Sequence, residues 1–323
     1  MGRRRKGRSV NGILLLDKPL GLSSNSALQK VRRLFGAAKA GHTGSLDPLA
    51  TGVLPVCLGE ATKFTQFLLD ADKCYRATFR FGIATASGDA DGAVVSEDGA
   101  PDLTEEQLLT VLPEFRGDIE QVPSMYSALK HNGQPLYKLA REGVEIERKA
   151  RPVTIFSLDL KSFMEGEFPE ADVEIHCSKG TYVRTLAEDI GRRLGCGAYV
   201  SSLHRSAAGP FDESQAISLP DLEALRESEG EQALDTRLLT MDAGIRHLTA
   251  IGLSEDAAFY FRQGQAVMVP QVYQQTEEGD IVRVFENRDE NGGVSPGDTS
   301  ALFLGVAEVT DDGRVAPKRL VVF

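Results

Sequence analysis

The segment Gly41-His42-Thr43-Gly44-Ser45-Leu46-Asp47-Pro48-Leu49-Ala50-Thr51-Gly52 sets one histidine and one aspartate among three glycines and a proline. That composition resists a regular helix or a central strand, so a shaped loop is expected. A carboxylate on such a loop can attack as a nucleophile or stabilise a positive centre. The loop lacks the Gly-Lys-Ser/Thr ending of a phosphate-binding loop and the G-x-S-x-G of a nucleophile elbow. No serine or cysteine stands in register with His42 and Asp47. On these residues alone, Asp47 as a turn cap before Pro48, with His42 packed in the core, accounts for the pattern equally well.

Other chemistries find little support. Cys57, Cys74, Cys177 and Cys196 show no zinc-ligand spacing, and the five histidines are scattered. Metal catalysis therefore has little support. Four cysteines without an export signal read as reduced thiols of a cytoplasmic protein. No apolar run is long enough to span a membrane. Asp89-Ala90-Asp91-Gly92 has the spacing of a haloacid-dehalogenase-type nucleophile. That motif follows an apolar strand, which Ala84–Gly88 does not resemble, so a turn is expected.

The elements that must carry the loop follow from periodicity. Ile13–Leu16 reads as a short buried strand ending at the breaker-rich Asp17–Gly21. Ser23 or Ser24 caps a helix with Ala27, Leu28, Val31 and Leu34 on one face. A second helix is expected over Glu60–Leu69. Tyr75, Ala77, Phe79 and Phe81 alternate as one face of a half-buried strand. Thr104–Gln107 is a capping box opening a helix to about Leu112. Strands are expected over Val153–Phe163, Ala171–Cys177 and Tyr199–Leu203, with a helix from Val183 to Leu194 closed by Gly195. The fold class is therefore α/β (α+β), a mixed sheet flanked by helices. Asp221–Leu239 reads as acidic and helical. Short β-prone runs at Ala266–Val269, Ile281–Phe285, Ala301–Val309 and Arg319–Phe323 then suggest a small barrel-like domain. Domains are expected at 1–10 (a flexible basic tail), 11–247 and 248–323.

Net charge is −11, which argues against a nucleic-acid partner. The distribution reverses that reading. Residues 1–80 carry +9, residues 1–208 carry +1, and residues 209–323 carry −12. A polyanion would lie against the N-terminal part, and losing the chain beyond about Thr249 would weaken its binding only modestly.

Six blocks, in order, resemble the TruB-type tRNA pseudouridine synthases, in their bacterial form. They are Lys18-Pro19-Leu20-Gly21-Leu22-Ser23-Ser24, the Gly41–Gly52 loop, Lys73-Cys74-Tyr75-Arg76, Asp89–Gly92, Pro123–Lys130 and Cys177–Leu186. The resemblance spans about Asn11–Arg205. It implies a pseudouridine-synthase fold and an enzyme that isomerises uridine 55 in the T arm of tRNA without a cofactor. It makes Asp47 the essential carboxylate, Arg184 its cationic partner and Tyr75 the ring that stacks on the flipped uracil. It also implies substrate contacts by His42, Leu203, Lys18, Lys130 and Tyr182. Residues 124–151 correspond to an RNA-clasping insertion, and the C-terminal domain is loosely similar to a PUA domain. The partner implied is the tRNA T stem-loop, bound by a monomer, with no membrane or metal. Where the family often has paired basic residues, this chain has His204-Arg205, which suggests a weaker or pH-sensitive RNA contact. The competing functions are a non-enzymatic RNA-folding module on the same scaffold and a base-exchange enzyme. The latter, where it resembles transglycosylases, needs a zinc site that the cysteine spacing does not provide.

Overall fold

The computed structural model describes residues 7–270, 272–287 and 301–323. Its centre is a ten-stranded mixed sheet. The main path runs Ile217–Ser218, Gly12–Lys18, Thr51–Leu58, Ala198–Ala208, Lys73–Phe81, Glu170–Cys177, Arg151–Met164 and Gly117–Gln121. Ala40–His42 joins beside Thr51–Leu58, and Phe211–Asp212 beside Ala198–Ala208. Most neighbours are antiparallel, but Thr51–Leu58 and Ala198–Ala208 run parallel and meet over two residue pairs, His204 with Thr51 and Arg205 with Gly52. This short junction joins the two halves of the sheet. It requires a glycine at position 52: φ is +96°, and a Cβ there would collide with the Arg205 carbonyl oxygen.

The helices Ser24–Leu34, Glu105–Val111 and Val183–Leu194 bury apolar faces in the core with Phe79, Phe81, Val173 and Val200 of the sheet. Ser23 caps the first of them, and the Thr104–Gln107 capping box opens the second. Gly195 closes the third at φ +78°, the left-handed end that glycine favours. Among the described residues, no helix is long and apolar enough to cross a membrane.

Several expectations need correction. Arg8 is not tail: its backbone bonds Gly36 and Ala38, its guanidinium pairs with Asp235, and Val10 is buried. The rest of the expected basic tail, residues 1–6, lies outside the described residues. Glu60–Leu69 divides into a 3-10 segment, Gly59–Phe64, and a short α-helix, Thr65–Leu69. The Thr62 hydroxyl donates to the Gly59 carbonyl and that of Thr65 to Thr62, competing with the helical ladder. Asp221–Leu239 breaks at Gly230, φ +87°, into a helix Leu219–Glu229 and a 3-10 segment Glu231–Arg237. The ends of the Gly41–Gly52 loop are strand, within Ala40–His42 and Thr51–Leu58. Pro55 and Gly52 hid the second of these, since both residues speak against a central strand.

The C-terminal region forms a curled five-stranded sheet, ordered Ala250–Leu253, Ile281–Glu286, Leu302–Val309, Arg314–Leu320 and Val267–Met268. Its last strand starts five residues earlier than the Arg319–Phe323 expected, because Val315 is its inward anchor while Val322 and Phe323 are exposed. It shares a core with the main body: Phe64 and Ile245 pack with Phe285, Phe303, Val306 and Val321. A buried ion pair, Arg283 with Asp242 at 2.8 Å, crosses the same boundary. Cutting the chain near Thr249 would bare Phe64 and Ile245, so charge substitutions test this domain's role in RNA binding better than truncation.

Gly52→Ala is expected to lower stability by roughly 1–3 kcal/mol from backbone strain alone, and by more from the collision with Arg205. Gly195→Ala, also at positive φ but in open space, serves as the milder control. Denaturant midpoints of the two variants against the parent check the ranking.

Candidate active site

Asp47 stands on residues 43–50, between the Ala40–His42 and Thr51–Leu58 strands. The loop is shaped by its own turn, in which the Ala50 N–H donates to the Asp47 carbonyl at 3.1 Å. It is then held from one side by the turn and helix that follow Gly12–Lys18. The Gly21 N–H donates to the Pro48 carbonyl at 2.8 Å. The buried Ser24 hydroxyl brackets Leu46, accepting its N–H at 2.6 Å and donating to its carbonyl at 3.0 Å. Lys18 is 0% exposed and donates to the carbonyls of Pro19 and Leu22 at 2.9 and 2.6 Å. Lys18 therefore braces the turn that braces the Asp47 loop, and its side chain does not line the pocket. Burial brings its pKa down to about 8, against the opposing pull of Asp47.

Arg184 meets Asp47 from the first turn of the Val183–Leu194 helix, Nε to Oδ2 at 2.9 Å. The guanidinium is 4% exposed and is fully engaged. It donates to the Ser87 carbonyl at 2.7 Å and to the Tyr126 carbonyl at 2.9 Å, and it pairs with Asp89 at 3.4 Å. Asp89 is the turn residue of the Asp89–Gly92 motif. Its carboxylate accepts from the Ser87 hydroxyl and the Asp91 N–H. Its turn is fastened to Ala198–Ala208 through Ala90 N–H to Val200 carbonyl and Val200 N–H to Gly88 carbonyl. Asp89 thus supplies the second carboxylate to Arg184, a role that spacing alone did not reveal.

The Asp47 side chain is 39% exposed, yet that exposure opens onto a concave pocket rather than the outer surface. Burial raises its pKa above 3.8, and Arg184 works against the rise. The pocket has a volume of about 370 Å³, and its wall includes Tyr75, Leu203, Tyr182, Lys73 and Arg205. Tyr75 and Arg205 are directly paired across adjacent strands. Burial pushes the Tyr75 hydroxyl pKa up and the nearby Arg205 pulls it down, leaving a net rise. Arg205 itself is almost wholly buried, donating from Nε to the Val53 carbonyl at 2.8 Å and from its terminal nitrogen to the Gly44 carbonyl at 3.3 Å. Lys18, Lys73, Arg184 and Arg205 against Asp47 and Asp89 give the site a positive balance inside an acidic chain.

Of the expected site residues, Asp47, Tyr75, Arg184, Leu203 and Tyr182 line one pocket. His42 does not. It pairs with Val56 in the sheet, its Nδ1 is buried without a partner, and burial lowers its pKa, favouring the neutral ring. Lys130 is exposed on the small hairpin Lys130–His131/Gln134–Pro135, away from the pocket wall. His204 is not an open RNA contact: Thr51 Oγ1 lies 2.8 Å from Nδ1 and Glu213 Oε2 lies 2.7 Å from Nε2.

Two positioning residues escaped the sequence. Ser24 was legible only as a possible cap. Gln121, 1% exposed, accepts the Tyr182 N–H at 3.0 Å and donates to the Tyr182 carbonyl at 3.3 Å. It thereby fixes the start of the helix that carries Arg184. Its strand, Gly117–Gln121, is polar apart from Ile119, so nothing in the sequence singles it out.

Residues 32–183 match the family described as TruB family pseudouridylate synthase (N terminal domain). Residues 184–246 match the tRNA pseudouridylate synthase B C-terminal domain, and residues 249–321 match pseudouridine synthase II TruB, C-terminal. A protein named tRNA pseudouridine synthase B from Saccharophagus degradans is 53% identical, covering 99% of this chain and 98% of its own. One of the same name from Pseudomonas aeruginosa is 54% identical over 97% of each chain. Among solved structures, a chain in a Cbf5–Nop10–Gar1 complex superposes with a TM-score of 0.68 at 24% identity, covering 96% of this chain and 84% of that one. That likeness is one of fold. The near-complete match to relatives at half identity is more: the chain belongs to the TruB family of pseudouridylate synthases.

Proposed function

We propose that this enzyme isomerises uridine 55 in the T arm of tRNA to pseudouridine, with Asp47 as the essential carboxylate. The observation that carries the reading is the Asp47–Arg184 pair at 2.9 Å in a pocket walled by Tyr75 and Leu203. The reaction breaks N1–C1′, turns the uracil and forms C5–C1′, after which C5 loses its proton and N1 gains one. It is redox-neutral and consumes no second substrate, so a single well-placed carboxylate and a pocket for the freed base cover its needs. Asp47 attacks the nucleoside or stabilises its cationic sugar, and either role needs the ionised form. Arg184 opposes the burial that would neutralise it. Tyr75 gives the base a stacking face and carries a hydroxyl suited to the late proton removal at C5.

Reaching the base means flipping it from its stack, at a cost of a few kcal/mol. The basic N-terminal part and the 124–151 segment offer phosphate contacts that offset this cost, with the folded T loop read by shape. Lys130 on its exposed hairpin fits such a contact, while a contact of His42 with the opened loop rests on the family resemblance alone. One chain builds the whole pocket, so a monomer suffices.

Asp47→Asn is expected to abolish pseudouridine formation, by at least about a thousandfold, while tRNA binding changes little. Mapping pseudouridine in tRNA and measuring binding on the same preparation decide it. Activity within tenfold of the parent would remove Asp47 from the mechanism. A pH dependence follows as well. Because burial raises the Asp47 pKa in the folded protein, the single-turnover rate should fall with acid at a midpoint above the ordinary carboxylate value. The same sign makes the ionised carboxylate a cost to folding. The stability associated with the raised pKa is fully present below the unfolded value and lost as pH rises through the folded one. Asp47→Asn should therefore unfold no earlier than the parent at neutral pH, which thermal denaturation at two pH values measures.

A further inference from the structure

The pocket contains a polar group that the reaction chemistry above does not use. Ser127 is 3% exposed, and its hydroxyl has no hydrogen-bond partner. It lines the same pocket as Asp47, Tyr75 and Tyr182. The Tyr182 hydroxyl lies near enough to interact with it, yet no aligned hydrogen bond joins the two. A buried hydroxyl left unpaired costs about 1–3 kcal/mol. Such a group in a pocket wall calls for a partner from outside the chain, a ligand or an ordered water.

The backbone around Ser127 holds it in place. The Ser127 carbonyl accepts the Tyr137 N–H at 3.1 Å, and the Leu129 carbonyl accepts the Leu136 N–H at 2.7 Å. One residue earlier, the Tyr126 carbonyl accepts from Arg184 at 2.9 Å. The root of the 124–151 segment is therefore built into the catalytic pocket, between the Arg184 guanidinium and the Leu136–Arg141 helix. The Ser127 hydroxyl has almost no accessible surface, so a ligand entering beside Asp47 reaches it only as the neighbouring wall, Tyr182 included, gives way.

We infer that the Ser127 hydroxyl is a substrate-binding group that hydrogen-bonds the polar edge of the flipped uracil. This deepens the proposed function and rests on it. The uracil edge offers two carbonyl oxygens and one N–H, and a hydroxyl can serve any of them. Asp47 and Arg184 work at the sugar side and Tyr75 at the ring face. Ser127 then holds the turn of the base on its way from N1 to C5.

The test compares the parent with Ser127→Ala on T-stem-loop RNAs carrying uridine, 2-thiouridine or 4-thiouridine at the target position, under single turnover. On uridine, the loss of one hydrogen bond is expected to slow Ser127→Ala by roughly threefold to tenfold. On one thio-substituted RNA, whose sulfur accepts weakly, the variant and the parent should differ by less than about twofold, because the bond is already weakened. If the contact is to N3–H instead, N3-methyluridine replaces the thio-RNA as the insensitive substrate. Thermal stability should be unchanged or raised, since the substitution removes an unpaired buried hydroxyl. An equal loss on every RNA, no loss on uridine, or a lower melting temperature would each overturn the assignment. Asp47→Asn run alongside separates the two proposals: if it stays active, the carboxylate mechanism fails, whereas Ser127 is judged by its substrate pattern.

Discussion

The structure turns on one ion pair. Burial favours the neutral acid at Asp47, Arg184 is the group that opposes this, and the proposed reaction needs the charged form. A buried pair is weak evidence of stability, because desolvation offsets much of the attraction. In the function proposed above its value lies in the chemistry of Asp47, and the surroundings hold the pair in place. Every donor of Arg184 that the structure resolves is engaged: Asp47, Asp89 and the carbonyls of Ser87 and Tyr126. A guanidinium so fixed cannot swing away from the carboxylate.

The fold explains how such precision is held. The two halves of the sheet join at only two residue pairs, next to Gly52 and Arg205, and the pocket lies at that join. The Asp47 loop comes from one side of it, and Arg184 and Asp89 from the other. The Asp47 loop is pinned by Gly21 and Ser24 from one half. Arg184 descends on a helix set by Gln121, and Asp89 arrives on a turn fastened to the other half. The motifs at Lys18–Ser24 and Asp89–Gly92 thus brace the pair.

Much of this was legible in the sequence, for physical reasons. Alternation marked Tyr75–Phe81, helical spacing marked Val183–Leu194, and glycine with proline marked the Asp47 loop. The central strand Thr51–Leu58 was hidden because Gly52 and Pro55 serve the junction and break local rules. The helix at Glu60–Leu69 failed where threonine hydroxyls bond back to the chain. Ser24 and Gln121 act through contacts between residues far apart in the chain, which no periodicity encodes. The net charge misled most: −11 overall conceals a pocket with three buried cations in its wall, Lys73, Arg184 and Arg205.

The central claim concerns the charge state of one carboxyl group, and it can be observed directly. Difference infrared or carbon-13 carboxyl titration of the parent against Asp47→Asn isolates the Asp47 signal, and repeating it on Arg184→Gln removes the opposing cation. The account predicts a midpoint above 3.8 in the parent and a further rise without Arg184. A midpoint at or below the ordinary carboxylate value, or one indifferent to Arg184, would contradict it.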